Sequence, residues 1–248
     1  MNAIKEILGR IFALWALLVF IITMLAVLPA MWIIGLIKEP ERTEVFRKIS
    51  KVWMSLFFAL TGCTLKVNGK QHFKNGENYI VICNHNSLMD VPITTPFIPG
   101  TNKTIAKIEL ARIPLFGLIY KRGSILVDRK DKDSRMGSFK KMKDVIDMGM
   151  HMCIYPEGTR NKTAGPLKAF HDGAFKLAFD TKKPLLPAII FNTKKVLPAD
   201  KIFFFWPSKM ELHFLLPVEI KSTDTIESLK REAFAIMSNY YFAYYGPS

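Results

Sequence analysis

The sequence predicts an α/β domain with a mostly parallel or mixed sheet flanked by helices, preceded by an N-terminal two-helix membrane-anchoring segment. Three observations carry this. Short apolar runs alternate with helix-length runs from residue 63 onward. A charge-free stretch occupies residues 11–37. Between the two lies a helix-spaced segment with a basic polar face. The chain divides accordingly into an anchor, residues 1–62, and an α/β domain, residues 63–248.

The charge-free stretch is long enough to cross a hydrocarbon core of ~30 Å as a helix. It exceeds the ~7–15 apolar residues of a signal peptide, so it is expected to be retained. Pro29 should kink or end this first helix, because proline lacks the amide proton and crowds the preceding turn. Lys5 and Arg10 precede the stretch while Lys38 and Arg42 follow it, so flanking charge does not orient it. In the second helix Val45, Phe46, Ile49, Val52, Trp53, Leu56, Phe57 and Leu60 recur at helical spacing, with Arg47, Lys48 and Lys51 opposite. That pattern suits a helix lying on an anionic membrane surface. It also suits a helix packed on the domain. A hairpin dipping into one leaflet and a single true span both remain open.

Composition agrees with a membrane and an anionic partner. Of 248 residues 50% are hydrophobic, and the formal net charge is +14. Mean hydropathy is +0.16. Nucleic acid is excluded as a partner by the apolar start of the chain and the absence of any nucleic-acid motif. Cys63, Cys83 and Cys153 are scattered and odd in number, which excludes a disulfide framework and a zinc cluster. They read as small buried residues of a reducing compartment.

In the α/β domain, strands are expected at residues 64–67, 79–83, 103–106, 124–127, 152–155, 185–190 and 210–216. Helices are expected at 87–95, 114–122, 134–149, 170–181 and 225–244. Alternation of this kind places sites at the carboxyl ends of strands. Three such ends carry chemistry. In the stretch Asn84-His85-Asn86-Ser87-Leu88-Met89-Asp90, His85 follows a buried strand, and Ser87 is a candidate N-cap for the next helix. Asp90 in the first turn can then reach back to the imidazole. An Asp on one ring nitrogen fixes the tautomer and frees the other nitrogen to take a proton. Taken alone, this spacing also fits an ordinary histidine capping a loop. The segment Tyr155-Pro156-Glu157-Gly158-Thr159-Arg160 follows a second strand, with Gly158 permitting a tight turn and Arg160 offering a planar fork for a phosphate. Arg129 ends a third, in Gly123-Ser124-Ile125-Leu126-Val127-Asp128-Arg129. If these strands are parallel, the three groups converge.

These stretches, with Leu186-Pro187-Ala188-Ile189-Ile190 as a fourth, resemble in order and spacing the blocks of the lysophospholipid and glycerolphosphate acyltransferase family, most of all its 1-acyl-glycerol-3-phosphate acyltransferase branch. The likeness runs from about residue 63 to 200. It implies that His85 is a general base oriented by Asp90. It implies that Arg129, Glu157 and Arg160 hold a glycerol phosphate, that Gly158 and Thr159 shape the turn, and that Lys107 is a further basic residue near the phosphate. It implies transfer of a fatty acyl group from acyl-CoA or acyl carrier protein to the sn-2 hydroxyl of 1-acyl-sn-glycerol-3-phosphate (lysophosphatidic acid), with no cofactor and no metal, at the cytoplasmic face of the cell membrane. Two departures stand out. Family members often carry Phe-Lys-x-Gly after the third block, where this chain has Phe170-His171-Asp172-Gly173, and Asn86 stands where Gln is common. The first keeps other acceptors open: glycerol-3-phosphate, another lysophospholipid or an acylated amino-acid lipid. A non-catalytic lipid-binding module is disfavoured by the intact His85 and Asp90. A metal hydrolase on His85, Asp90 and Glu157 is disfavoured by the lack of a second clustered histidine.

Overall fold

The computed structural model describes residues 3–128, 130–163 and 165–245. Helix α1 (Ala3–Ile33) and helix α2 (Glu41–Leu60) come first. Strands β1 (Thr64–Asn68), β2 (Ile80–Cys83), β3 (Asn102–Lys107), β4 (Ser124–Val127), β5 (His151–Ile154), β6 (Leu185–Phe191) and β7 (Lys209–Phe214) follow. Interleaved with them are α3 (Asp90–Thr94), α4 (Phe116–Gly123), α5 (Lys132–Asp147), α6 (Gly173–Thr181), α7 (Thr193–Val196) and α8 (Ile226–Tyr245). The expected strands all form, within two residues at each end. The short α7 was not anticipated.

The strands make one seven-stranded sheet in the order β1-β7-β6-β2-β5-β3-β4. β2 to β6 run parallel to one another, while β7 pairs antiparallel with β6 and parallel with β1. The sheet is therefore mixed, as expected. Its centre is covered on both sides, so β2 and β6 are buried at every residue and read as unbroken apolar runs.

Alternate residues feed two cores. Ile80, Ile82, Met152 and Ile154 face α5, α6 and α8. Val81, Cys83, Cys153 and Ile190 face the other way, into a core shared with Phe46, Trp53, Phe57 and Phe58 of α2 and Ala13, Ala16 and Val19 of α1. The apolar side of α2 is thus packed on the domain, and only Val52, Leu56 and Leu60 of its large apolar residues are strongly exposed. α1 lies outside α2, where the Trp53 indole N–H donates to Thr23 Oγ1 at 2.9 Å. Pro29 neither ends α1 nor breaks it, since the helix continues to Ile33. One absent amide costs a single ladder bond in an otherwise uninterrupted apolar helix. α1 is long and apolar enough, by length and composition, to cross a membrane. Its outward face exposes Ile4, Ile7, Ile11, Leu14 and Ile22.

The aromatic run at residues 203–206 belongs to this layer. Phe204 and Phe205 are buried, Phe205 N–H donates to Gly9 O at 3.0 Å, and Trp206 meets Phe12 edge-on. Tyr79 N–H donates to His151 Nδ1 at 3.0 Å, and His213 joins Glu211, Asn68 and Tyr240.

Glu39, in the α1–α2 connection, fastens the helices to the sheet. Its carboxylate accepts from Lys103 Nζ of β3 and from Arg42 Nη2 and Thr43 Oγ1, each at 2.6 Å. Burial pushes its pKa up, but the hydrogen bonds from Lys103, Thr43 and Arg42, with the Lys103 charge, outweigh this and hold it at about 2, below the usual 4.5. A depressed folded-state pKa stabilises above the unfolded value and is lost on acidification. The stability advantage of the native chain over Glu39→Gln is therefore expected to be complete at pH 6 and to shrink as pH falls from 4.5 toward 2, measured by thermal unfolding in detergent.

Candidate active site

The parallel strands β2, β5, β3 and β4 are adjacent in that order, so the segments leaving their carboxyl ends meet along one edge. His85 leaves β2, Glu157 to Arg160 leave β5, and Lys107 is the last residue of β3. Arg129, just past β4, lies outside the described residues.

His85 and Asp90 come together as expected, though by a different local route. Asp90 Oδ2 accepts from His85 Nδ1 at 2.8 Å and from the main-chain N–H of Asn86 and Ser87 at 2.6 and 2.8 Å. Asp90 Oδ1 accepts from Thr193 Oγ1 at 2.6 Å. α3 starts at Asp90, not at Ser87, and Ser87 is not its N-cap. The carboxylate of Asp90 takes the amides that a cap would leave free, which ties the His85 loop into one turn. The Ser87 hydroxyl instead donates to Leu197 O at 2.6 Å. With a carboxylate as its partner Nδ1 carries the proton, which leaves the Nε2 lone pair available. The Asp90 side chain is fully buried while that of His85 is 18% exposed, so only the imidazole reaches the site.

The segment that leaves β5 clamps His85 from both sides. Its main-chain N–H donates to Glu157 Oε1 at 2.8 Å, and its carbonyl accepts from Asn161 N–H at 2.6 Å. Glu157 Oε2 accepts from Lys168 N–H at 3.0 Å. Burial raises the Glu157 pKa, against the lowering effect of the His85 and Lys168 amides. Both oxygens of Glu157 are thus occupied by main-chain donors, so what this buried carboxylate does directly is join the His85 loop to the loop after β5. Gly158 has φ +70°, a left-handed conformation that favours glycine, and the exposed His171 ring lies against it. Tyr155 stacks its ring on His85, with centroids 4.5 Å apart. The Tyr155 hydroxyl lies 2.7 Å from Thr94 Oγ1, which donates to Asp90 O at 3.0 Å.

A cavity of about 1480 Å³ opens beside this edge. One part is lined by His85, Lys107, Thr159, Arg160 and Lys168, the rest by apolar side chains such as Leu17, Phe20, Phe57 and Phe116 from α1, α2 and α4. Among the described residues Arg160 has no carboxylate within ion-pair distance. Nor does any group of three or more His, Cys, Asp and Glu side chains among them lie close enough to hold a metal ion.

Several residues of this site were not singled out in the sequence. Thr193, Asn161 and Lys168 reach it only through the packing of distant loops. Asn84 does so through its amide, which donates to Ile190 O and accepts from Ile190 N–H, fixing the start of the His85 loop to β6.

Fold and site together define a class: an α/β protein whose parallel strands bring an Asp-bound histidine and neighbouring cations to one largely apolar cavity. Residues 64–191, more than half of the chain, match the family described as Acyltransferase, and the chain belongs to that family. Curated relatives include the 1-acyl-sn-glycerol-3-phosphate acyltransferase of Helicobacter pylori, 35% identical over 143 residues that are 57% of this chain and 59% of that protein. The Cocos nucifera protein of the same name is 36% identical over 54% of this chain and 43% of its own length. The human 1-acyl-sn-glycerol-3-phosphate acyltransferase alpha is 30% identical over 69% of this chain and 60% of that one. The chain thus spans about half the length of the curated relatives it matches. The crystal structure of the 1-acyl-sn-glycerophosphate (LPA) acyltransferase PlsC from Thermotoga maritima shares the fold, with a TM-score of 0.80 at 22% identity over 100% of this chain and 99% of that one.

Proposed function

We propose that the chain transfers a fatty acyl group from an acyl thioester, acyl-CoA or acyl carrier protein, to the sn-2 hydroxyl of 1-acyl-sn-glycerol-3-phosphate, giving phosphatidic acid and a free thiol. The observation that carries this is the union in one cavity of a His–Asp base, cationic side chains and a long apolar wall. A lysophosphatidic acid has the matching parts: a hydroxyl to deprotonate, a phosphate monoester and an acyl chain. The names of the relatives point to the same acceptor.

His85 Nε2 removes the sn-2 hydroxyl proton as the oxygen attacks the thioester carbonyl. Asp90 stabilises the imidazolium that forms. The tetrahedral intermediate collapses, the C–S bond breaks, and the thiolate takes the proton back from His85. Both substrates can be held at once, so no acyl-enzyme is needed. Arg160, Lys107 and Arg129 bind the phosphate and so hold the hydroxyl against the base, which removes part of the entropic barrier. Glu157, Gly158 and Thr159 serve that phosphate site by fixing the shape of the turn from which Arg160 projects. An acceptor without phosphate would leave these cations idle.

Residues 1–62 are the membrane-anchoring part in this reading. α1 dips into the cytoplasmic leaflet with its apolar outward face in lipid, and α2, whose apolar side is packed on the domain, holds it beside the cavity. Such placement suits a reaction whose acceptor and product both reside in a bilayer.

Thiol release by purified protein in detergent tests the reaction. Steady release with 1-acyl-sn-glycerol-3-phosphate and either acyl-CoA or acyl carrier protein is expected. Release only with glycerol-3-phosphate or another lysolipid would move the acceptor, and silence with every acyl acceptor would end the reading.

A further inference from the structure

The family resemblance leads one to expect a lysine at position 171, and this chain has histidine there. His171 is exposed, does not line the cavity, and lies against the Gly158 turn from outside. Three residues earlier Lys168 does line the cavity, alongside His85, Lys107 and Arg160. Its main-chain N–H is fixed by Glu157 Oε2 at 3.0 Å, and its Nζ donates to Thr159 Oγ1 at 2.7 Å. Among the described residues no carboxylate lies within ion-pair distance of that ammonium. Glu157, whose carboxylate anchors its backbone, is turned toward two amides and does not neutralise it. Of the three N–H donors of the ammonium, one is taken by a neutral hydroxyl and two are left for an anion.

We infer that Lys168 grips the acceptor's phosphate together with Arg160, and that it makes the site selective for a phosphate monoester. The inference rests on the acyl-transfer reading above. Arg160 supplies a planar fork and Lys168 a compact point charge to the same cavity, and two cations favour a terminal dianionic phosphate. A phosphodiester headgroup carries a single charge and a bulky substituent, so it gains less from the second cation. Thr159 holds the ammonium at the wall before substrate arrives, which limits the side-chain ordering that binding requires.

Two measurements on the full chain in detergent test this. In steady-state thiol release, Lys168→Gln is expected to raise the KM for 1-acyl-sn-glycerol-3-phosphate roughly tenfold or more, the range for losing a hydrogen bond to a charged group. The kcat and the KM of the acyl donor should stay within about twofold, Lys168→Arg should recover most of the loss, and His171→Gln should leave the acceptor KM unchanged. Calorimetric binding of the same monoester lipid, with a lysophosphatidylcholine as diester control, should weaken in Lys168→Gln for the monoester alone. An unchanged acceptor KM, or an equal fall in every parameter, would overturn the assignment. So would a shift produced by His171→Gln in place of Lys168→Gln. If the native chain releases no thiol with this acceptor, the reaction reading fails by itself. Calorimetry then decides on Lys168: monoester binding that depends on its charge upholds the assignment, and binding that does not overturns it.

Discussion

Replacing His85 with alanine is expected to lower kcat for thiol release by roughly 10²–10⁴, the usual worth of a general base. The fold should survive. Asp90 keeps its bonds from the Asn86 and Ser87 amides and the Thr193 hydroxyl, and Glu157 still receives the main-chain N–H of residue 85. What disappears is the one partly exposed group of the dyad and its stack on Tyr155. The KM for the phosphate-bearing acceptor should change little, because Arg160 and Lys168 are untouched. The decisive comparison is kcat beside the thermal midpoint in the same detergent. An alanine variant that keeps more than about a tenth of native kcat would remove His85 as the base, since losses on removing a general base start near a hundredfold.

Asp90→Asn is expected to be nearly as damaging to rate and far gentler to structure than Asp90→Ala. An amide oxygen can replace Oδ2 as acceptor for the two main-chain donors, so asparagine retains the turn. It carries no charge to stabilise the imidazolium and can present the wrong partner to Nδ1, and kcat should fall by roughly 10²–10⁴. Alanine leaves the Asn86 and Ser87 amides and the Thr193 hydroxyl without an acceptor inside the protein. Each orphaned buried donor costs about 1–3 kcal/mol, so Asp90→Ala should show a clearly lowered unfolding midpoint as well as lost rate. Equal midpoints for the two variants would show that this carboxylate does not hold the loop together.

The parts of this molecule that are legible in the sequence are those determined by neighbours along the chain. Residues 79–83 form an unbroken apolar run, so β2 and the position of His85 just beyond it follow from burial alone. Asp90 is five residues from His85, within reach of any tight turn. The particular turn was not legible, because Ser87 Oγ accepts from Met89 N–H while the Asp90 carboxylate takes the Asn86 and Ser87 amides, so the helix begins only at Asp90. Thr193 was hidden for another reason. It meets Asp90 only because β6 lies beside β2, a strand order that no local pattern encodes. Lys168 illustrates the same limit, since a lysine in a loop reads as solvated until the Glu157 carboxylate is seen to pin its backbone at the cavity. Pro29 shows how length can prevail over a single breaker: the apolar residues on both sides hold α1 together through the proline. The two readings of α2 were separated by burial of Phe46, Trp53, Phe57 and Phe58, which tertiary packing determines.

The layer that α1 and α2 form over one face of the sheet has a consequence for how the chain is made. These helices are synthesised before the strands that α2 will cover, β2, β6 and β7, the last of them much later. At ~5–20 residues per second, roughly ten to forty seconds pass between completion of α1 and the appearance of β7. Throughout that interval a long apolar helix and its amphipathic neighbour have no protein surface to rest on. A bilayer or a chaperone must shelter them, and the sheet must then assemble beneath helices already in place. Removing residues 1–62 to obtain a freely soluble fragment would uncover Val81, Cys83, Ile190 and Leu212. The truncated product is expected to aggregate, since α1 and α2 are the lid of the core.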